Sequence, residues 1–390
     1  MLMEVHWRFG FPKAQRGLAF NAMPRSFKIE DHIPEHLSGI QPYVPGIQPD
    51  DRDWIKLNTN ENPFPPSPRV ASAIIEALGQ GGDGLRRYPN PNSSALREAL
   101  AAYHTVDFDQ VIIGNGSDEI LSLLVRCFSD SRHAVGFCVP SYSVYPVLAR
   151  AHGAACVEIP FDRAFSLNTD GIADCGGSIF FLTAPNAPSG VGFTNEAIAA
   201  VLERFPGLLV VDEAYVAFAE EDTLQLLDSY PNLCIVRTFS KSHSLAGLRV
   251  GYALATSSVV RLLDAVRDSY NLDQLAQVGA LAALGDPEYY KATIGKILSI
   301  RDSHTSEFRR RGWFTYDSQA NFIFTEPVDA SGRKGPGVAR SLYAYLKERR
   351  ILVRYFGEHP LTCSFLRITV GDECVMQRLS EALASWLKSV

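Results

Sequence analysis

Long apolar runs are missing from the sequence, and none approaches the ~20 residues that a membrane-spanning helix needs. The first residues, 1–8, lack the apolar core of a secretory signal. Basic tracts are missing as well, and the formal net charge is −6. These absences argue against a membrane protein, and against nucleic acid or an anionic membrane surface as the main partner.

Cysteine motifs are absent too. No two cysteines form a C-x-x-C pair, their number is odd, and several lie in apolar runs. Free, buried thiols of this kind are typical of a reduced compartment. We therefore expect a cytoplasmic protein with no metal site and no thiol nucleophile. The seven cysteines are Cys127, Cys138, Cys156, Cys175, Cys234, Cys363 and Cys374.

The chain has the length and the apolar content to build more than one core, with 390 residues of which 46% are hydrophobic. Strands alternate with helices from Leu57 to about Ala255, which predicts an α/β fold with a mostly parallel central sheet. The later pattern predicts a smaller α+β unit. We expect an N-terminal arm over 1–50, a large domain over 51–270 and a small C-terminal domain over 271–390.

Lys241 stands just past the apolar run 233–236, among small and hydroxylated residues. Lysine forms a Schiff base with a carbonyl when burial or nearby cations keep it partly neutral. The hydroxyls of Thr238 and Ser240, with Arg249, are suited to hold a phosphate beside it. A lysine and a phosphate clamp at this spacing indicate pyridoxal 5′-phosphate (PLP). The alternative is an exposed lysine in a serine-rich loop.

A second anion site is indicated where the short apolar strand 111–113 meets the glycine-rich turn 114–116. Ser117 and Asp118 follow at the start of a helix. Backbone N–H groups point out of such a helix end, and the helix dipole favours negative charge there. The alternative is a plain turn between a strand and a helix.

Three more candidates follow predicted strands. Tyr142 comes after the strand 134–139 and is placed to stack on a planar ring, or to fill a core. Asn186 lies in a stiff, proline-rich loop. Asp212 follows the apolar strand 208–211, where a carboxylate is costly unless it meets a cation, such as a protonated pyridine nitrogen. A helix-capping role is the alternative for Asp212.

Several segments, taken in order, resemble the fold type I PLP-dependent aminotransferases, and most closely the histidinol-phosphate aminotransferases. The resemblance runs from about Leu37 to Lys388. The segments that carry it are Asn60–Pro63, Tyr88–Pro89, 116–119, the loop at Asn186, 212–215, the stretch around Lys241, and 366–371.

The resemblance implies roles around the cofactor ring. Lys241 holds the cofactor as a Schiff base and then moves the proton between Cα and C4′. Asp212 pairs with the ring nitrogen. Tyr215 and Asn186 bond the 3′-oxygen, and Tyr142 stacks on the ring face.

The resemblance also implies which residues bind the cofactor phosphate. The backbone amides of Ser117 and Asp118 bind it, together with Ser240 and Arg249. Tyr88 reaches the phosphate of the neighbouring subunit, so the resemblance implies a homodimer with active sites at the subunit interface.

For the substrate, the resemblance implies that Arg367 binds the carboxylate of glutamate and the phosphate of histidinol phosphate, with Arg354 as its helper. Asn62 and Asn321 belong to the same substrate-binding set. The implied reaction is a ping-pong transamination between L-histidinol phosphate and 2-oxoglutarate in histidine biosynthesis.

Two other substrates stay open at this point. Aminotransferases of aromatic amino acids and the threonine-phosphate decarboxylases of cobalamin synthesis carry similar motifs. The Pro65-Pro66 step and the aromatic segment 354–356 both place a hydrophobic substrate within reach.

Overall fold

The computed structural model describes residues 27–49, 51 and 53–389. The strands are β1 Ile55–Lys56, β2 Val111–Asn115, β3 Val135–Val139, β4 Cys156–Pro160, β5 Ile179–Thr183, β6 Leu208–Asp212, β7 Leu233–Thr238, β8 Val250–Ala255, β9 Phe314–Thr315, β10 Phe322–Glu326, β11 Ile351–Leu352, β12 Arg354–Tyr355 and β13 Leu366–Thr369. The helices are α1 Pro68–Leu78, α2 Ser94–His104, α3 Ser117–Phe128, α4 Val144–Ala151, α5 Thr169–Ala173, α6 Asn195–Leu202, α7 Phe239–Ser242, α8 Ser257–Val266, α9 Gln274–Leu284, α10 Pro287–Arg310, α11 Pro336–Glu348 and α12 Glu373–Ser389.

A seven-stranded sheet with the order β2-β8-β7-β6-β5-β3-β4 forms the centre of the fold. Only β8 runs antiparallel to its neighbours in it. Strands β5 and β6 are buried along their whole length and apolar up to their last residues, Thr183 and Asp212, as central strands covered on both faces are. The predicted α/β fold with a mostly parallel sheet is confirmed.

Helices cover both faces of this sheet. One face packs with α2, α6 and α9 into a cluster that includes Leu209 and Val211. The other face packs with α3, α4 and α8 into a cluster that includes Val210 and Val236. Within the described ranges, no helix combines the length and the apolar character that crossing a membrane requires.

The C-terminal part of the chain builds a second, antiparallel sheet with the order β12-β13-β10-β9. Helices α10, α11 and α12 contribute to the cluster beside it, together with Trp313 and Trp386. A separate two-stranded parallel pair joins β1 to β11, so residues 55–56 associate with the C-terminal elements.

The sequence pattern of 259–284 predicts a largely helical stretch, and the structure has two helices there, α8 and α9. Asp273 begins the second one, because its side chain accepts a hydrogen bond from the Ala276 amide at 2.9 Å. Helix α9 then packs on α1 and adds Ala276 and Ala280 to the large-sheet cluster. The domain boundary at 270/271 stays a prediction, with α9 on the large-sheet side.

The predicted arm over 1–50 falls mostly outside the described residues. Its described part, 27–49, contains two short 3-10 turns and otherwise irregular chain. The Ile47 carbonyl in it accepts a hydrogen bond from the Asn58 side chain at 2.9 Å. The arm thus runs next to the loop that carries the Asn-Glu-Asn-Pro motif.

A buried ion pair ties β6 to β7 on the sheet face opposite Asp212. Arg237 Nε donates to Glu213 Oε2 at 2.7 Å, and both side chains are at least nine-tenths buried. Arg237 Nη2 also pairs with Asp222 at 3.0 Å. The other Glu213 oxygen accepts bonds from the Thr223 amide and hydroxyl, each at 2.7 Å. Each buried charge is therefore compensated.

We predict that Arg237→Met lowers the free energy of unfolding by about 3 kcal/mol, because it leaves the Glu213 carboxylate buried without its cation. Arg204→Met is the matched control, since it breaks the largely exposed pair with Asp170 and should cost less than about 1 kcal/mol. Urea unfolding of both variants checks this. Equal losses in the two variants would contradict the assignment.

Candidate active site

The predicted site residues gather at one edge of the large sheet. Asp212 is the last residue of β6, Lys241 follows β7 within α7, and Ser117 begins α3 just after β2. Strands β2, β6 and β7 run parallel to one another, so their carboxyl ends lie at the same edge. Open α/β sheets bind their ligands at this edge.

Lys241 points into the site from α7, and its Nζ donates to the Thr59 carbonyl at 3.0 Å. Burial and, after it, the Arg367 guanidinium lower the pKa of Lys241 to about 8. A substantial neutral fraction therefore exists near neutral pH, which is what a nucleophilic or basic amine needs.

The turn that carries Lys241 is fixed from two sides. The Thr238 hydroxyl caps it by accepting from the Ser240 amide at 3.1 Å. The Asn62 side-chain amide donates to the carbonyls of Lys241 and Ser242, at 2.9 and 3.3 Å. In this structure Asn62 therefore holds the backbone of the lysine turn. Its predicted contact with substrate stays a prediction.

Asp212 is 3% exposed and accepts two hydrogen bonds. Tyr145 donates to Oδ2 at 2.8 Å, and the Ala214 amide donates to Oδ1 at 3.2 Å. Burial raises the pKa of Asp212 to about 6, and the Tyr145 hydrogen bond acts against that rise. A carboxylate in this position is stabilised only when a cation joins it.

Tyr215 lies beyond Asp212, 8% exposed, and its hydroxyl accepts from the Asn60 side-chain amide at 2.9 Å. Asn60 itself is held by Thr369 at 3.1 Å and, through its carbonyl, by Asn321 at 3.0 Å. Asn321 Oδ1 is buried and has no hydrogen-bond partner among the residues described. Asn321 therefore supports the Asn60 loop, and its predicted contact with substrate stays a prediction.

A cradle for an anion forms where β2, α3 and β8 meet. Gly116 adopts φ +79°, and a side chain there would collide with the Arg249 guanidinium. The Arg249 guanidinium lies 3.3 Å from the Asp118 carboxylate and 3.4 Å from the Ser240 hydroxyl. The structure thus brings together the first turn of α3, a serine hydroxyl and a half-exposed arginine, as the sequence predicted for a phosphate site.

Gly251 explains why the backbone comes so close at this cradle. A Cβ on Gly251 would overlap the amide nitrogen of Ser117. Any larger residue would push the N-terminus of α3 away from β8.

Tyr142 contacts Asp118 of this cradle, and Asn186 contacts the Pro140 carbonyl, two residues before Tyr142. The Tyr142 hydroxyl donates to Asp118 Oδ1 at 3.0 Å, and its ring meets Tyr43 of the arm edge-on, with 5.8 Å between the ring centroids. Asn186 is fully buried, and its Oδ1 accepts from the Ser189 hydroxyl at 2.7 Å. Among the described residues, its side-chain amide donates only to the Pro140 carbonyl, over a long 3.4 Å.

Arg354 and Arg367 face each other across β12 and β13. In the described part of the chain their guanidinium groups donate only to backbone carbonyls, Arg354 to Val44 at 3.3 Å and Arg367 to Asn58 at 3.1 Å. Both lie against the ring of Phe356, at 5.4 and 5.2 Å from its centroid. Two cations without a carboxylate partner make a site for an anion.

Tyr88 is a predicted site residue that the structure leaves on the surface, away from the cluster around Lys241. Its side chain is 80% exposed and stacks on Tyr270, with ring centroids 4.5 Å apart. Within the described residues no hydrogen bond links it to the cluster around Lys241.

Residues that the sequence did not single out complete the cluster, and Tyr145 and Asn60 are the main ones. Tyr145 carried one usable signal, because it follows Tyr142 by three residues and lies in the first turn of α4. Asn60 belongs to a recognised motif, but its partner Thr369 is 309 residues away in the chain. No local pattern reveals such a contact.

Comparison with known proteins agrees with this geometry. A family model described as "Aminotransferase class I and II" matches residues 52–383. The chain belongs to this family. It is therefore an enzyme, a transaminase.

Individual relatives indicate which group of aminotransferases this chain resembles. It is 44% identical over 343 residues to a histidinol-phosphate aminotransferase of Syntrophotalea carbinolica, covering 88% of this chain and 95% of the relative. It is 42% identical to the enzyme of that name from Citrifermentans bemidjiense, with 90% and 97% covered.

Among solved structures, the aminotransferase matches the histidinol-phosphate aminotransferase of Sinorhizobium meliloti, which was determined in complex with pyridoxal-5′-phosphate. The TM-score is 0.79 at 28% identity, and the match covers 86% of this chain and 91% of that one.

We predict that Asp212→Asn stabilises the cofactor-free protein at pH 7 by about 1–3 kcal/mol, because it removes a buried charge whose pKa is raised by burial. The gain should be fully present above pH 6, should fall as the pH drops below 6, and should vanish only below the unfolded-state pKa of 3.8, where the wild-type carboxyl is protonated in both the folded and the unfolded chain. Urea unfolding at pH 5 and pH 7 measures the difference. A gain that is the same at both pH values would contradict the assignment to Asp212.

Proposed function

We propose that this aminotransferase transfers the amino group of L-histidinol phosphate to 2-oxoglutarate, giving imidazole acetol phosphate and L-glutamate, in histidine biosynthesis. The observation that carries the proposal is the pair Arg354 and Arg367, two guanidinium groups that meet no carboxylate among the described residues. Besides burial, the Arg367 guanidinium also lowers the pKa of the partly buried Lys241. Relatives that bear the name histidinol-phosphate aminotransferase, at 42–44% identity over about nine-tenths of the chain, support it.

The proposal includes pyridoxal 5′-phosphate as the cofactor, and the chemistry of the residues fits that group. Its phosphate would be held by the first turn of α3, Ser240 and Arg249. Its ring nitrogen would be met by Asp212, whose buried carboxylate otherwise has no cation among the described residues. When bound, the cofactor withdraws electrons from the substrate Cα and so stabilises the negative charge left by the departing proton.

The protein's own residues supply the remaining steps. Lys241, neutral in part because of its lowered pKa, would take the proton from the substrate Cα and return it to C4′ of the cofactor. The bonds from Asn62 to its backbone hold the amine in place during this transfer. Tyr215, positioned by Asn60, bonds the ring oxygen.

Arg354 and Arg367 would bind the anionic end of each substrate in turn. A phosphate monoester carries up to two negative charges, and two guanidinium groups offer it bidentate bonds. The carboxylate of glutamate would use the same donors. Holding the far end of the substrate fixes the orientation of its Cα–H bond towards Lys241, which is catalysis by positioning.

A homodimer and a cytoplasmic location are part of the proposal. The exposed aromatic stack of Tyr88 and Tyr270 is suited to meet a second subunit, because large exposed aromatics mark interaction surfaces. The location is supported by the cysteines, all seven of which are free thiols.

A half-reaction tests the substrate assignment. The protein with its cofactor is mixed separately with histidinol phosphate, glutamate, phenylalanine and threonine phosphate, and the change of cofactor absorbance to that of the amine form is followed. We expect conversion with histidinol phosphate and with glutamate. No conversion with histidinol phosphate would remove the proposal. Release of carbon dioxide from threonine phosphate would replace it by the decarboxylase, and fast conversion only with phenylalanine by the aromatic enzyme.

In the same assay, Arg354→Gln should raise the concentration of histidinol phosphate needed for half-maximal rate at least ~10-fold, because a charged hydrogen-bond donor to the phosphate is lost. Phenylalanine, with only one carboxylate to bind, should be affected less. Arg349→Gln is the matched control, since Arg349 is exposed at the end of α11 and stacks on Tyr345. An equal loss for both substrates would contradict the phosphate role of Arg354.

A further inference from the structure

A chain of hydroxyl groups runs behind Asp212. The Tyr145 hydroxyl lies 2.8 Å from Asp212 Oδ2 and 2.6 Å from the Thr183 hydroxyl. The Thr183 hydroxyl in turn lies 3.1 Å from the hydroxyl of Ser141. Tyr145 is fully buried, and Thr183 is 3% exposed.

The directions of these hydrogen bonds follow from counting protons. A tyrosine hydroxyl has one proton, and an ionised carboxylate only accepts. Tyr145 therefore donates to Asp212, so it must accept from Thr183, and Thr183 must accept from Ser141. Bonds that all point the same way polarise one another and strengthen the last donor in the chain.

The tyrosine ring is fixed so that its hydroxyl cannot turn away. It stacks on Phe181, with centroids 4.8 Å apart and planes inclined by 9°, and it meets Tyr142 edge-on at 5.6 Å. Phe181 and Thr183 both belong to β5, which neighbours β6 in the sheet. The donor and the carboxylate are thus held by adjacent strands and by the first turn of α4.

Several charged or titratable groups surround the Asp212 carboxylate. Burial raises its pKa, and the carboxylates of Asp118 and Glu213 raise it further. The hydrogen bonds from Tyr145 and from the Ala214 amide lower it. Tyr142 and Tyr215 are the other titratable groups near it, and burial raises the pKa of both. Tyr145 is the side chain that acts against the rise through a hydrogen bond.

We propose that Tyr145, supported by Thr183 and Ser141, is a positioning residue that keeps Asp212 a hydrogen-bond acceptor, aimed and charged for the ring nitrogen of the cofactor. This inference rests on the proposed PLP chemistry. Tyr145, which does not touch the substrate, would then determine the lower pH limit of the reaction. Without the Tyr145 donor, a proton on Asp212 competes with the proton on the ring nitrogen at a higher pH.

The test uses Tyr145→Phe, which removes the hydroxyl and keeps the ring. Two quantities are measured: the dissociation constant of PLP from the cofactor-free protein between pH 5.5 and 9, by quenching of intrinsic fluorescence, and the pH dependence of the half-reaction with glutamate. We expect about tenfold weaker PLP binding at pH 7. We also expect the acid limb of the half-reaction to move up by about one pH unit. The binding deficit should shrink towards pH 9, where Asp212 is ionised in both proteins.

Two further variants separate positioning from folding. Thr183→Val removes the donor to Tyr145 and should shift the acid limb in the same direction by a smaller amount. Tyr316→Phe is the matched control: it loses a 2.7 Å bond from a buried tyrosine to the Arg163 carbonyl and should leave both the PLP affinity and the pH profile unchanged. A merely structural role of Tyr145 would lower the melting temperature of the cofactor-free protein without moving the pH profile.

An unchanged acid limb and unchanged PLP affinity in folded Tyr145→Phe would overturn the inference. If Tyr145→Phe does not fold, Thr183→Val decides. An acid limb of Thr183→Val at the wild-type pH would equally overturn the inference. Failure of the proposed function looks different, because wild-type protein would then bind no PLP or would not react with glutamate.

Discussion

The Asp212 carboxylate, buried at the end of a central parallel strand, is the constraint on which the site depends. A charge at that depth is unfavourable unless a cation joins it, and none of the described residues supplies one. The fold therefore holds a buried carboxylate that, under the proposed function, a ligand with a cationic ring nitrogen would pair with. The buried charge lowers the stability of the cofactor-free protein and at the same time preforms a binding site, as is common at functional sites.

The parallel sheet makes this arrangement possible. Asp212 and Glu213 are neighbours in sequence, but successive side chains of an extended strand point to opposite faces. Asp212 faces the site and Tyr145, whereas Glu213 faces the buried Arg237 and is fully compensated there. The compensated pair fixes β6 to β7, and these are the strands that carry Asp212 and Lys241. A stable polar network on one face thus supports an uncompensated charge on the other.

Much of this could be predicted from the sequence, because the fold and the key residues leave local signals. The position of Asp212 after an apolar run, the lysine after the next strand and the glycine turn before α3 all depend on a few neighbouring residues. Contacts between distant segments left no such signal. Tyr145 with Asp212 and Asn60 with Thr369 depend on how strands and loops pack. The support that Asn62 gives to the lysine turn, and the contact of Phe356 with two arginines, depend on packing as well.

We propose that Lys241 is the lysine that binds the cofactor covalently in this site. Incubation with PLP, reduction with borohydride and mass spectrometry of the digested protein test it directly, because reduction makes the lysine adduct permanent. We expect one label per chain, on the peptide that contains Lys241, and none in Lys241→Ala. A label on another lysine, or one spread over many lysines in the wild-type protein, would contradict it.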